Sequence, residues 1–86
     1  MIKKYCKKLI VIEAVQWKGD NYEEIYNFTR GNCYFPTNSG NLIIKTVEGN
    51  MIAKKESYII KTRSGNFYPC RKEIFEEIYE EVSDKR

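Results

Sequence analysis

The chain has 86 residues and a formal net charge of +3, it is 42% hydrophobic with two prolines, and it contains three cysteines but no histidine. This is the length and composition of one small globular domain. Without histidine, serine–histidine and cysteine–histidine nucleophile pairs are excluded, and three widely spaced cysteines match neither a disulfide framework nor a zinc site, so we expect no enzyme, no metal and no cofactor.

The charges are unevenly distributed along the single domain, residues 1–86. Four lysines lie within residues 1–8, which we interpret as a basic amino-terminal tail, and residues 83–86 are interpreted as a carboxyl-terminal tail. Acidic residues crowd the segment 73–84, so the rest of the chain is more basic than the total suggests, and a basic surface attracts phosphate groups. Glu13 interrupts the first apolar run and no run is long enough to cross a bilayer, so we expect a cytoplasmic protein without a membrane partner.

Two elements are predicted in the first third of the chain. Residues 9–17, LIVIEAVQW, have the β-branched and aromatic content of a strand. Residues 19–31, GDNYEEIYNFTRG, predict a short helix in which Asp20 is the N-cap, Glu23 completes a capping box and Gly31 ends the helix in a left-handed conformation.

The remainder predicts hairpins and a final helix. Pro36 makes residues 32–41 a ragged edge segment followed by a turn. Residues 42–47 and 51–54 flank EGN, and residues 57–62 and 66–70 flank RSG, which are hairpin patterns. Residues 71–82 have the clearest helical period, with one apolar stripe formed by Ile74, Phe75, Ile78, Tyr79 and Val82.

The predicted order is therefore β-α-β-β-β-β-α, an α+β fold. We expect a mainly antiparallel, curved sheet of four to five strands with two short helices on one face. The other face is then exposed or curls into a partial barrel. The chain has seven tyrosines, and a concave tyrosine-rich face is a natural ligand site.

The segments VIEAVQWKGDNYEEI, residues 11–25, and GNLIIKTVEGNMIAKKESYIIKTRSGNFYPCRKEIFEEIYEEV, residues 40–82, resemble the PGDYG family of small phage and prophage proteins. The pieces EAVQW, YIIK and FYPC occur in family order and spacing, and the resemblance runs from about residue 7 to about residue 82. It implies a phage setting rather than a mechanism, because no residue roles carry over.

The chain departs from the family pattern at the motif that gives the family its name. KKESY, residues 54–58, stands where the family has Pro-Gly-Asp-Tyr-Gly, and Tyr58 alone is retained. Lys72 and Glu73 stand where a proline and an aspartate often open the last helix. We therefore expect a different backbone and a more basic surface at the turn before Tyr58.

The first strand supplies three candidate ligand-binding residues. Glu13 and Trp17 share one face of the strand, and Gln16 lies on the other. As a pocket wall, Trp17 would stack on a planar ring while Glu13 accepts hydrogen bonds from sugar hydroxyls. The alternative is that Glu13 pairs with a neighbouring lysine, that Gln16 ends the strand, and that Trp17 belongs to the core. We favour the pocket wall, since a packed core gives no reason for a carboxylate on that face.

The second hairpin supplies five more candidates. Lys61, Arg63 and Arg71 are predicted to hold phosphates, with Tyr58 and Tyr68 flanking a base. The alternative is an ordinary surface lysine and a turn arginine. Cys70 is interpreted as a packed residue rather than a nucleophile, because no histidine can activate it.

Two functions remain open from the sequence. One is a non-catalytic sponge that sequesters a nucleotide-derived immune signal in the cytoplasm of a phage-infected host. The other is an inhibitor or adaptor that binds a host or phage protein. We expect no DNA partner, since the periodic helix is acidic outside, and we expect a homo-oligomer, since the core available to 86 residues is small.

Overall fold

A computed structural model describes residues 2–3, 12–36 and 40–80. Most of the predicted tails, together with Val11 and Val82 of the predicted strand and helix, lie outside the described residues. The elements follow the order β1 (Glu13–Gln16), α1 (Tyr22–Phe28), β2 (Cys33–Tyr34), β3 (Leu42–Thr46), β4 (Gly49–Ala53), β5 (Tyr58–Lys61), β6 (Phe67–Cys70) and α2 (Lys72–Ile78).

The strands form two antiparallel sheets of three strands each. The first sheet has the order β1-β5-β6 and the second the order β2-β3-β4. The predicted α+β class and antiparallel pairing are confirmed, whereas the prediction of one sheet of four to five strands differs from the six strands observed. The extra strand is the two-residue β2, which pairs on the edge with Ile43 and Ile44 and stops before Pro36, a residue with no N–H to donate.

Both predicted hairpins are confirmed. In the first, Thr46 is opposite Gly49, so Val47 and Glu48 form a two-residue loop and β4 begins two residues earlier than predicted. In the second, Thr62 N donates to Asn66 O at 2.8 Å and Gly65 has φ +88°, a value that glycine adopts without strain. In each hairpin, the two β-rich runs therefore pair directly across a short loop.

Helix α1 starts at a different cap from the predicted one. The N-cap is Asn21 rather than Asp20, and no side chain caps an N–H of the first turn. The Asn21 side chain instead bridges the helix and β1, because its Nδ2 donates to Gln16 O at 2.9 Å and to Glu24 Oε1 at 2.8 Å. At the other end Gly31 is left-handed as predicted, with φ +83°, and its N–H donates to Tyr26 O at 2.8 Å, but Arg30 before it is already left-handed, with φ 56°, so the turn that ends the helix begins one residue earlier than predicted.

Helix α2 divides its apolar stripe between two sides. Phe75 stacks on Tyr58 with ring centroids 3.9 Å apart, and Tyr79 follows Phe75 at 4.9 Å. Ile74 and Ile78, by contrast, are 44% and 54% exposed, and no residue of the helix is buried. Tyr79 is already extended, so within the described residues the helix ends before the predicted position 82.

The core lies where the inner faces of the two sheets meet, with β6 beside β3 and β4. The buried apolar residues come from strands β2 to β6, from α1 and from the position after β1, and they are Trp17, Ile25, Cys33, Leu42, Ile44, Ala53, Ile59 and Phe67. In the part of the chain that the structure describes, no helix is long and apolar enough to cross a membrane.

Candidate functional site

Trp17 is part of the core, and its predicted role as a pocket wall is wrong. Its side chain is fully buried, with the ring edge against Phe35 at a centroid distance of 5.3 Å. The alternation of faces does extend to residue 17, because Val15 and Trp17 both pack into the core. Glu13 has the same parity but lies at the exposed end of β1, beyond the core, so its carboxylate does not mark a pocket wall. The indole Nε1 has no hydrogen-bond partner among the described residues.

Glu13 lies at the exposed end of β1, where the alternative interpretation is the observed one. It is directly opposite Lys61 on β5, and its Oε1 is 3.9 Å from the lysine Nζ. These two residues, with Ile12, Thr62 and Arg63, line a shallow surface groove of about 280 Å³. The Glu13 side chain is 73% exposed, so this ion pair contributes on the order of 0–1 kcal/mol at most.

Gln16 connects the end of β1 to the β4–β5 turn. Its Nε2 donates to Glu56 O at 3.0 Å and to Glu56 Oε1 at 3.2 Å. The backbone makes the same connection, because Glu56 N donates to Trp17 O and Trp17 N donates to Ser57 O at 2.8 Å. The amide in the first strand therefore holds the turn formed by residues 54–57 in place.

Tyr58 and Tyr68 share the outer face of the first sheet with Gln16. Tyr58 is opposite Gln16 and Cys70, and Tyr68 is opposite Ile60, so all point away from the core. Helix α2 occupies this face, since Phe75 stacks on Tyr58 and the Tyr58 hydroxyl donates to Glu76 Oε2 at 3.3 Å. The expected open, concave tyrosine face is thus covered at Tyr58.

Arg71 lies apart from the two cations with which it was grouped. Lys61 and Arg63 line the shallow groove beside Glu13, whereas Arg71 lines a different groove of about 180 Å³ between the β4–β5 turn and the start of α2. We call this second site the basic groove, and its lining residues are Lys54, Lys55, Glu56, Ser57, Arg71, Lys72 and Glu73.

The pairing of β5 with β6 explains why four cations meet in the basic groove. Tyr58, the first residue of β5, is opposite Cys70, the last residue of β6. Residues just before β5 and just after β6 are therefore neighbours, and these are Lys54, Lys55, Arg71 and Lys72. The sequence interpretation included Arg71 but missed the three lysines. KKES stands before one strand and RK after its hairpin partner, and these segments are recognised as neighbours only when the strand register is known.

The charges of the basic groove do not neutralise one another. Four cations and two carboxylates line it, a net charge of +2, and among the described residues none of the six forms an ion pair within 4.0 Å. The stem of Lys55 lies over Gly19, where an added Cβ would be 3.2 Å from its Cε, so this lysine is directed by packing. A concave surface with unpaired cations attracts anions.

The described cysteines have no sign of nucleophilic activation. Burial raises the pKa of the Cys70 thiol, which lowers its thiolate fraction at neutral pH. The Cys33 thiol is buried, with its Sγ 3.4 Å from Thr29 Oγ1. The pKa of the Tyr22 hydroxyl is raised, mainly because this group is partly buried and secondly because it lies beside Cys33. The interpretation of Cys70 as a packed residue agrees with this environment.

Replacing Glu56 with glycine is expected to stabilise the protein by about 1 kcal/mol. Glu56 has φ 79°, a left-handed conformation that costs a residue with a Cβ about 1–2 kcal/mol and glycine almost nothing. The loss of the 3.2 Å hydrogen bond from Gln16 and the greater freedom of glycine in the unfolded chain offset part of the gain. Urea denaturation measures the change in the free energy of unfolding.

The matched control is Lys54→Gly in the same turn, at an exposed residue without a positive φ. Here glycine brings only its entropic cost, so we expect a loss of about 0.5–1 kcal/mol. If both variants are destabilised equally, the backbone at Glu56 is not strained.

Comparisons with known proteins return no relationship. No family model, no curated protein and no solved structure matches the chain. The resemblance to the PGDYG proteins accordingly remains a hypothesis, and the site is interpreted from its own geometry.

Proposed function

We propose that the protein is a non-catalytic binding protein that sequesters a phosphate-bearing, nucleotide-derived ligand in the basic groove. The observation that carries the proposal is the convergence of Lys54, Lys55, Arg71 and Lys72 from the two ends of the β5–β6 hairpin around one concave surface. Lysine and arginine are the side chains that bind phosphate oxygens most strongly, through charge-assisted hydrogen bonds.

The size of the groove limits which part of the ligand it takes. Its volume of about 180 Å³ is below the roughly 300–1,000 Å³ typical of sites that enclose a whole small molecule. Phosphate groups fit such a groove, and the remainder of the ligand lies outside it. The aromatic stack of Tyr58, Phe75 and Tyr79 begins at the residue that follows Ser57 of the groove, and a planar base can extend a stack of this kind.

The absence of catalysis in this proposal rests on the side chains available. The chain has no histidine, and the thiol of Cys70, which precedes Arg71 of the groove, has a raised pKa. Binding by contrast needs only cations, hydrogen-bond donors and aromatic surface. In the phage or prophage setting that the sequence resemblance implies, a cytoplasmic protein of this type would act by lowering the free concentration of a host immune signal.

Isothermal titration calorimetry with pyrophosphate, ADP-ribose and a cyclic dinucleotide tests the proposal. We expect at least one of the three to bind, and the double variant Lys54→Gln/Arg71→Gln to bind it about a hundredfold more weakly, because two charge-assisted hydrogen bonds of about 1.5 kcal/mol each are lost. Affinity should also fall as salt is added, since the contacts are electrostatic.

The control variant is Lys61→Gln/Arg63→Gln, which removes the same charge from the groove beside Glu13. Its affinity should stay within about threefold of the unmodified protein, as expected for distant screened charges. Equal losses in both double variants would show non-specific attraction instead of a site. Absence of binding by all three probes at millimolar concentration would reject the proposed function.

A further inference from the structure

One exposed surface of helix α2 combines apolar and acidic side chains, and no residue that the structure describes covers it. Ile74 and Ile78 are one helical turn apart and so lie on one face, 44% and 54% exposed. Glu73 and Glu77, also one turn apart and both exposed, run alongside them. We call these four residues the acidic ridge. An exposed pair of large apolar side chains bordered by charges is typical of an interaction surface.

The outer face of the second sheet has the complementary character. Tyr34, Ile43 and Ile52 are opposite one another across β2, β3 and β4, so they form one row pointing away from the core. Tyr34 is 42% and Ile52 60% exposed. Lys45 lies beside the row, with Nζ 5.8 Å from the centre of the Tyr34 ring. We call Tyr34, Ile43, Lys45 and Ile52 the basic row.

From this match we infer that the acidic ridge of one molecule binds the basic row of a second copy of the chain. The row spans three strands, which lie about 4.8 Å apart, and the two isoleucines of the ridge are about 6 Å apart, so they fit between its side chains. Lys45 then faces Glu73 or Glu77 of the neighbouring molecule. Apolar contact supplies the attraction, and the opposite charges select the orientation.

The fold prevents the acidic ridge from contacting the basic row of the same molecule. Helix α2 lies against the outer face of the first sheet through Phe75 and Tyr58, whereas the basic row is on the outer face of the second sheet. The two surfaces lie on opposite outer faces of the molecule, so one partner cannot contact both at once, and the contact is head-to-tail rather than two-fold symmetric. Each added molecule leaves one ridge and one row free for the next.

Sedimentation equilibrium measures this association. A seven-residue helix on three strands is a small contact, so we expect the average mass to rise above 10.2 kDa only at about 100 µM and higher, the range of transient interfaces. Ile78→Lys removes the ridge and Ile52→Lys removes the row, and each should weaken the association at least tenfold. Val47→Lys is the control, since Val47 is 68% exposed and belongs to neither surface.

Mixing the two lysine variants gives the decisive result. Ile78→Lys keeps an intact row and Ile52→Lys an intact ridge, so an equimolar mixture should form a one-to-one dimer that does not grow further. A two-fold dimer is distinguished by the unmodified protein, whose mass would stop at twice that of the monomer, whereas a head-to-tail contact lets the assembly grow further. A charge exchange, Lys45→Glu with Glu77→Lys, should restore the association that Lys45→Glu alone weakens.

Three results would overturn the inference: a monomer over the whole concentration range, association that both lysine variants retain, or a mixture that stays monomeric. A different protein bound to the row of a strictly monomeric chain would count against it as well and would favour the inhibitor or adaptor interpretation. Circular dichroism establishes that each variant is folded. Ile52 and Ile78 lie outside the basic groove, so this experiment and the phosphate titration fail independently.

Discussion

The Trp17→Ala protein should lose most of its stability and be partly unfolded at room temperature. Trp17 is the largest fully buried side chain and belongs to the cluster that joins the two sheets, with its ring edge against Phe35. Removing a buried aromatic ring costs about 3–5 kcal/mol, while a domain of this size is stable by only about 5 kcal/mol. Far-UV circular dichroism and urea denaturation measure the loss, since the substitution removes the single tryptophan fluorophore.

Trp17→Phe separates the packing of the ring from the chemistry of its nitrogen. The indole Nε1 has no partner among the described residues, so phenylalanine removes volume but breaks no hydrogen bond known there. We expect a loss of about 1–2 kcal/mol, the cost of a partly filled space. A fully stable Trp17→Ala protein would place the ring outside the core and would revive the pocket wall.

The error about Trp17 has a specific physical origin. The two-residue period itself is correct through residue 17: Val15 and Trp17 pack into the core, and Gln16 between them points to the outer face. The error was to let one carboxylate define the whole face, since Glu13 lies at the exposed end of β1, where the core does not reach. How far the core extends along a strand depends on the distant strands that pack against it, and a single sequence does not contain that information.

The hairpins were predictable because all their information is local. Residues 42–54 and 57–70 each contain two β-rich runs and a glycine-containing loop, and both fold as that pattern predicts. The division into two sheets was not predictable from the sequence, since β1 pairs with β5 across more than forty residues. Distant pairings of this kind depend on how the apolar faces pack against each other, which the run of residue types does not specify.

The candidate site shows the same limit. Gln16, Tyr58 and Tyr68 were correctly assigned to strands, and they do share one outer face, but helix α2 covers Tyr58 there. The phosphate-binding group was divided, because Arg71 follows β6 whereas Lys61 ends β5 at its other end. Once the β5–β6 register is known, the lysines before β5 become the natural neighbours of Arg71.

Ile59→Ala tests the two-sheet core more generally and is expected to cost about 2–5 kcal/mol. Ile59 is fully buried in β5, the central strand of the first sheet, between Val15 and Pro69. A cavity at a central strand is difficult to close, because the strands on both sides hold the backbone in place. The free energy of unfolding from urea denaturation gives the loss directly.

Ile52→Ala is the matched control, since it makes the same change in a β-strand of the same protein. Ile52 is 60% exposed on the edge strand β4, so little apolar surface returns to water and no cavity forms. We expect a change within about 0.5 kcal/mol, the usual range for surface positions. Similar losses in both variants would mean that Ile59 is no better buried than Ile52. A large loss at Ile59 alone requires the inner faces to form the core, and it leaves Ile52 free to meet another molecule.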